Sequence, residues 1–266
     1  MDQGLIRLLV FASVLIVMAS AEALWPRKER VMKRTVRWFN NLSLSVLSSV
    51  ALKVLGPITA IAVATYALDR GYGLLGLIPW ALPLWVEIII GVVILDFLIY
   101  AQHVLSHRVP VLWRFHKVHH ADRDIDVTTG IRFHPIEALF SMLYKCSFIL
   151  LLGPIPLAVF FFEVLLNGSA MFNHANVKLP LWLDKALRLV IVTPDSHRVH
   201  HSTIPSETNS NYGFFLSIWD RIFKTYTAQP KLGHDNMVIG LNQYQTEAPA
   251  SLLWSLKTPF KKRTTK

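Results

Sequence analysis

The sequence predicts an all-α fold: an integral membrane bundle of about four apolar segments, the last a broken hairpin, with its histidine-rich segments gathered on one side. Three observations predict it. Apolar residues fill 53% of the 266 positions and charged residues 17%, too little charge for the surface of a soluble domain. Mean hydropathy is +0.40. The apolar residues gather in stretches long enough to cross a bilayer, which takes about 20 residues of helix. This content also excludes disorder. The one cysteine, Cys146, excludes an internal disulfide and a multi-cysteine zinc site. The net charge of +10 reads as membrane topology and lipid contact before nucleic-acid binding.

The first stretch covers residues 5–25. Ala19-Ser20-Ala21 looks like a signal-peptide cleavage site. However, Arg27, Lys28, Arg30, Lys33, Arg34 and Arg37 follow the stretch instead of preceding it, so it reads as a retained helix. The positive-inside rule then puts residues 26–40 in the cytoplasm. The second stretch, residues 44–68, leads outward, with Lys53 snorkelling. The third, residues 81–100, returns. The fourth, residues 139–166, is broken near its middle by Gly153-Pro154-Ile155-Pro156, because proline removes a helix hydrogen bond. It reads as a hairpin that dips in and returns, or as two tilted short spans. Residues 101–137, the chain after the hairpin and the basic Lys261-Lys262-Arg263 then share the cytoplasmic side. A single crossing would split the histidines across the membrane. Trp80, Trp85, Trp182, Trp219 and Trp254 fall near expected interfaces, where indoles are favoured, or serve as ordinary packing residues.

Nine of the 11 histidines form a pattern. His103 and His107 are four apart, on one face of a helix. His116, His119 and His120 are spaced i, i+3, i+4, again read as one face. His197, His200 and His201 repeat that spacing, and His174 stands alone in Asn173-His174-Ala175-Asn176. Imidazole is a neutral ligand suited to Fe, Zn, Cu and Ni. Eight or nine exceed the four ligands of one tetrahedral zinc and suit two metal ions of higher coordination number. Redox-active iron would leave positions open for dioxygen. A lone histidine is ordinarily a packed core residue; three clusters from distant parts of the chain are not.

Supporting groups follow from spacing. Asp96 lies seven residues before His103, two helical turns, and is expected to orient a ligand imidazole through its other nitrogen. Glu87 falls near the opposite side of that helix. Asp195 and Asp220 read equally as supports or as caps. His134, in Arg132-Phe133-His134-Pro135-Ile136-Glu137, precedes a proline that suits a first helical turn, and is expected behind the ligands or as a loop anchor. His234, between Gly233 and Asp235, reads as a surface loop residue.

The order His-x3-His, His-x2-His-His, a middle histidine, then His-x2-His-His resembles the fatty acid hydroxylase and sterol desaturase superfamily of membrane di-iron enzymes. The resemblance covers residues 96–226. It includes Leu112-Trp113-Arg114-Phe115-His116, Asn211-Tyr212-Gly213 and Trp219-Asp220-Arg221-Ile222-Phe223-Lys224-Thr225-Tyr226. These segments, with Arg132-Phe133-His134-Pro135, look closest to the alkylglycerol monooxygenase branch and its bacterial relatives. The resemblance implies two iron ions held by His103, His107, His116, His119, His120, His174, His197, His200 and His201. Some members pair two histidines in the middle motif; here only His174 is evident, and no tenth ligand is assigned. It also implies a small membrane bundle topped by a cytoplasmic cap that holds the metals.

The implied activity is hydroxylation or desaturation of a lipid C–H bond with dioxygen, the lipid entering from the bilayer. Two electrons must come from a partner reductase or a reduced pterin, since the chain has no GxGxxG fingerprint and too few cysteines for an iron–sulfur cluster. The implied organisation is N-terminal transmembrane helices over 1–100, a catalytic domain over 101–230 with the hairpin inserted, and a C-terminal tail over 231–266. The membrane is a bacterial inner membrane or the endoplasmic reticulum. Three rivals are weaker. A metal transporter would place its ligands mid-membrane, a haem protein needs two axial histidines per haem, and a zinc hydrolase would want the Glu of HExxH.

Overall fold

The computed structural model describes residues 3–56, 58–78 and 81–261. Trp80, Lys262 and Arg263 lie outside the described residues. The long helices are α1 (Gln3–Leu24), α2 (Arg34–Lys53), α3 (Ala60–Asp69), α4 (Leu84–Arg108), α5 (Pro110–His120), α6 (Pro135–Leu152) and α7 (Pro156–His174). Shorter ones follow: α8 (Leu181–Leu187), α9 (Pro194–His200), α10 (Pro205–Thr208), α11 (Ile218–Ile222), α12 (Gly233–Asn236) and α13 (Leu252–Lys257). Among the described residues no strand forms, only isolated bridges such as Pro26 with Val177.

Four helices are long and apolar enough to cross a membrane: α1, α4, α6 and α7. Their outer faces are apolar; Leu8, Ile16 and Val17 on α1 are each more than 60% exposed. Water would penalise such a face, whereas lipid accepts it, and a helix satisfies its own backbone there. The second apolar stretch departs from expectation. It is not one helix: α2 ends at Lys53, and Gly56 turns the chain at φ 62° before α3 begins. Chain direction is nevertheless kept. Arg37 sits in the cap, while Gly73 packs against Gly153 at the far end of the bundle.

The third stretch runs on to Arg108, so His103 and His107 belong to a helix long and apolar enough to cross a membrane. The fourth is a hairpin wider than 139–166. Gly153, in the left-handed region at φ 67°, ends α6, and Pro156 opens α7 at its first turn. Each arm is long enough to cross a membrane, and α7 brings His174 back to the cap end. The core where α3, α4, α6 and α7 meet holds Ala60, Ala64, Leu95, Ile99, Ile149 and Phe162. Alanines on α3 let it approach closely.

The basic segment after α1 was expected on the cytoplasmic side, its charge a topology signal and lipid contact. Two of its arginines work inside the cap. Arg27 Nε pairs with Asp195 at 3.3 Å. Arg37 is fully buried; it donates from Nε and Nη2 to Asp122, both at 2.7 Å, and from Nη1 to Asp126 at 2.5 Å. Glu22, at the end of α1, accepts from the backbone N–H of Val127 at 2.6 Å and of Asn176 at 2.9 Å. The loop between α5 and α6 is thereby fixed to the N-terminal segment. Burial alone would raise the Asp122 carboxyl; Arg37 beside it holds it down at about 2.

Breaking a buried pair strands a charge, so Arg37→Met is expected to cost ~3–5 kcal/mol. Thermal unfolding in detergent checks this, and an unchanged midpoint contradicts it. Because the Asp122 pKa is depressed, the pair's contribution is complete above the unfolded carboxylate value of about 4. It is lost as pH falls toward about 2.

Candidate metal centre

Four helices deliver nine imidazoles to one place. Pro110 starts α5, whose last turns carry His116, His119 and His120. Thr193 and Ser196 close a reciprocal capping box on α9, which carries His197 and His200, with His201 at its C-cap. α4 and α7 supply His103, His107 and His174.

The nine divide into two groups. His103, His107, His116, His120 and His200 form one; His119, His174, His197 and His201 form the other. Within each group one ligand atom per residue lies within 4.8 Å of all the others. The groups adjoin: the rings of His120 and His201 stack at 4.6 Å. The expectation that each His-x2-His-His cluster shares one face is therefore corrected. Residues four apart stay in one group, and the residue between them at i+3 joins the other.

Hydrogen bonds fix the ring tautomers. His103 Nδ1 lies 2.7 Å from the Tyr212 carbonyl, and His200 Nδ1 lies 2.7 Å from the Ser210 carbonyl. A carbonyl only accepts, so both protons sit on Nδ1 and both Nε2 atoms present lone pairs. Those Nε2 atoms face each other at 3.0 Å. Protonation does not relieve them, because burial and the neighbouring His116 push His200 down to about 3. His174 is held in the same tautomer. Its Nδ1 donates to the Ala170 carbonyl at 2.6 Å, and its Nε2 stands 3.1 Å from Nε2 of both His119 and His197. Burial also holds His119, His120, His197 and His201 well below the usual imidazole range.

Lone pairs this close in a dry site repel unless a cation lies between them. Two nitrogens bound to one ion at about 2.1 Å and at right angles stand about 3.0 Å apart. Further ring nitrogens are buried with no partner, including both of His201 and Nε2 of His116. The donor set fits metal.

A cavity of about 400 Å³ reaches this centre. Of the nine histidines, His103 and His116 line it, and both belong to the five-membered group. Beside them Glu137 accepts from His116 Nδ1 at 2.6 Å.

The family pattern described as fatty acid hydroxylase matches residues 88–225. The chain belongs to the fatty acid hydroxylase family. It is 31% identical over 226 residues to the ornithine lipid hydroxylase of Rhizobium tropici, covering 84% of this chain and 67% of that protein. It is 32% identical over 155 residues to the alkylglycerol monooxygenase of Xenopus tropicalis and 31% identical over 166 residues to the human one. Those matches cover 57% and 62% of this chain. The chain spans about a third of each alkylglycerol monooxygenase, 32% and 34%. No solved structure matches it.

Within this family member, Asp96 and His134 hydrogen-bond to groups other than the nine imidazoles, and His134 takes the loop-anchor place. Asp96 accepts from the Trp219 indole at 2.8 Å and from the backbone N–H groups of Phe215 and Leu216 at 3.3 and 3.1 Å. It acts on the loop 209–216, not on an imidazole. His134 caps α6 by accepting from the Ile136 N–H at 3.1 Å, and its ring packs on Phe115 and Phe260. Asp220 accepts from the backbone of Tyr212 and Gly213, both at 2.8 Å. A side chain on Gly213 would press a Cβ to 2.8 Å from Asp220 Oδ2. Asp195 pairs with Arg198 and Arg27. His234 is buried, not a surface residue, with Nε2 3.7 Å from Asp195.

Glu137 is the contact that sequence reasoning left unassigned. Its signal was its place in the first turn of the helix opened by Pro135. Glu137→Gln is expected to lower metal affinity about tenfold to a hundredfold, the effect of removing a carboxylate behind a ligand histidine. Competition against a chelator measures this, and an unchanged affinity would place Glu137 outside the centre.

Proposed function

We propose that this chain is a membrane-bound di-iron oxygenase that hydroxylates or desaturates a C–H bond of a lipid. The facing lone pairs of His103 and His200, 3.0 Å apart, carry the reading. Family membership and the lipid hydroxylase and monooxygenase relatives support it. His103, His107, His116, His120 and His200 would hold one iron, and His119, His174, His197 and His201 the other. Iron, once bound, supplies the dioxygen chemistry that an unactivated C–H bond requires.

The protein's own part is positioning and exclusion of water. Tyr212, Ser210 and Ala170 carbonyls keep the Nδ1 protons of His103, His200 and His174 in place. Glu137 does the same for His116. The cavity between α2, α4, α6 and α7 presents apolar Leu52, Ile99, Met142 and Leu166 to a lipid chain and delivers it to His103 and His116.

Electrons come from outside the chain, from a reductase or a reduced pterin. The catalytic unit is residues 101–230 with the hairpin inserted, preceded by transmembrane helices over 1–100. The C-terminal tail is residues 231–266, and its described part, 231–261, straps the cap, where Arg132 donates to the Pro249 carbonyl at 2.7 Å. The positive-inside rule puts the centre on the cytoplasmic side of a bacterial inner membrane or the endoplasmic reticulum.

Metal content and oxygen-18 incorporation test the reading. Detergent-purified protein is expected to hold two irons per chain, one for each group, depleted in His119→Ala and in His200→Ala. Membranes supplied with labelled dioxygen and a reductant are expected to yield a hydroxylated lipid carrying the label, or an alkene. Zinc alone, for which the four-nitrogen group is a suitable tetrahedral set, with no oxidised lipid, would contradict it.

A further inference from the structure

The end of the cavity remote from the histidines carries an unbalanced charge. Arg7 on α1 and Lys145 on α6 both line it. Between them Glu163 on α7, 3% exposed, meets Arg7 Nη1 at 3.0 Å and Lys145 Nζ at 3.3 Å. Two cations share one carboxylate, a formal excess of one positive charge at the cavity edge, where the Arg7 side chain is 36% exposed and that of Lys145 12%. Glu163 itself stands behind the cavity lining; the acid on the cavity wall is Glu137, which His116 engages. The remaining polar lining, such as Ser45, Gln102, Ser141 and Asn167, is neutral. An uncompensated charge in lipid surroundings is costly and marks a ligand or ion path.

The charge also has a fixed distance from the centre. Glu137, Ala138, Ser141, Met142 and Lys145 line the cavity from one face of α6, and eight residues of helix span ~12 Å. The cavity therefore has histidines at one end, apolar side chains between, and a cationic pair at the other.

We propose that Arg7 and Lys145 bind an anionic group, a carboxylate or a phosphate, of the lipid whose chain the cavity holds. The inference rests on the oxygenase reading and adds the substrate's charge to it. The lipid places its anion at Arg7 and Lys145 and its reacting carbon near His103 and His116. A neutral or cationic lipid of the same length leaves the excess charge unmatched.

Equilibrium binding to the detergent-purified full chain tests this with two pairs of probes. One pair is palmitate against hexadecanol; the other is dioleoyl phosphatidate against dioleoylglycerol. The anionic member of one pair is expected to bind about tenfold more tightly than its neutral partner, the scale of a charge-assisted contact. The pair that discriminates identifies the source of the anion. Lys145→Met and Arg7→Met are expected to abolish the preference, and Lys145→Arg to keep it. Lys53→Met, at an exposed lysine on α2, is expected to leave it unchanged. Equal binding within both pairs, or a preference that survives both methionine variants, overturns the inference. Iron measured on the same samples separates the two readings. Iron without charge preference removes this inference alone, and charge preference without iron removes the oxygenase reading.

Discussion

A buried imidazole nitrogen needs a partner, and imidazoles whose protons are already committed to other groups cannot supply one another. Each neutral ring has one proton to donate and one lone pair to satisfy. Here the outer nitrogens of His103, His116, His174 and His200 give their protons to carbonyls or to Glu137. The inner nitrogens of His103 and His200 are left as lone pair facing lone pair, and that of His116 has no partner. A cation between such nitrogens relieves their repulsion, so the geometry of the site and its fitness for metal are one problem.

The orientation of those outer nitrogens depends on residues well away from the centre. The loop 209–216 offers the carbonyls of Ser210 and Tyr212. Asp220 holds that loop from one side and Asp96, on α4, from the other. The α5–α6 loop is held in the same manner by Arg37 and Glu22. Buried carboxylates and arginines thus set the backbone, the backbone sets the tautomers, and the tautomers direct lone pairs inward. These charges are costly to bury, and their interlocking pairs offset that cost.

The convergence of the nine histidines was legible from their spacing and from the need to return His174 to the cap. Their division into two groups was not. Neighbouring helix positions are about 100° apart, so a helix lying between two sites shows i and i+4 to one and i+3 to the other. Spacing alone does not reveal that a second site lies on the far side. The α2–α3 break was signalled by Lys53 and Gly56-Pro57, the same kind of punctuation as Gly153-Pro154, and a hydropathy average over 44–68 passes over it. Asp96 was placed on the correct helix, but its partners are backbone N–H groups more than a hundred residues away. Backbone carbonyls that orient a ring leave no trace in side-chain identity. The Asn211-Tyr212-Gly213 motif was visible, and its physical reason is the close approach of Gly213 to Asp220.

The central claim is that two adjacent all-nitrogen sites, one of five imidazoles and one of four, hold the two metals. Mössbauer spectroscopy of protein loaded with iron-57 addresses it most directly. Two quadrupole doublets of equal area are predicted, with His174→Ala selectively removing or shifting the one from the four-nitrogen group. A single doublet, or a pair that His174→Ala leaves untouched, would contradict the account.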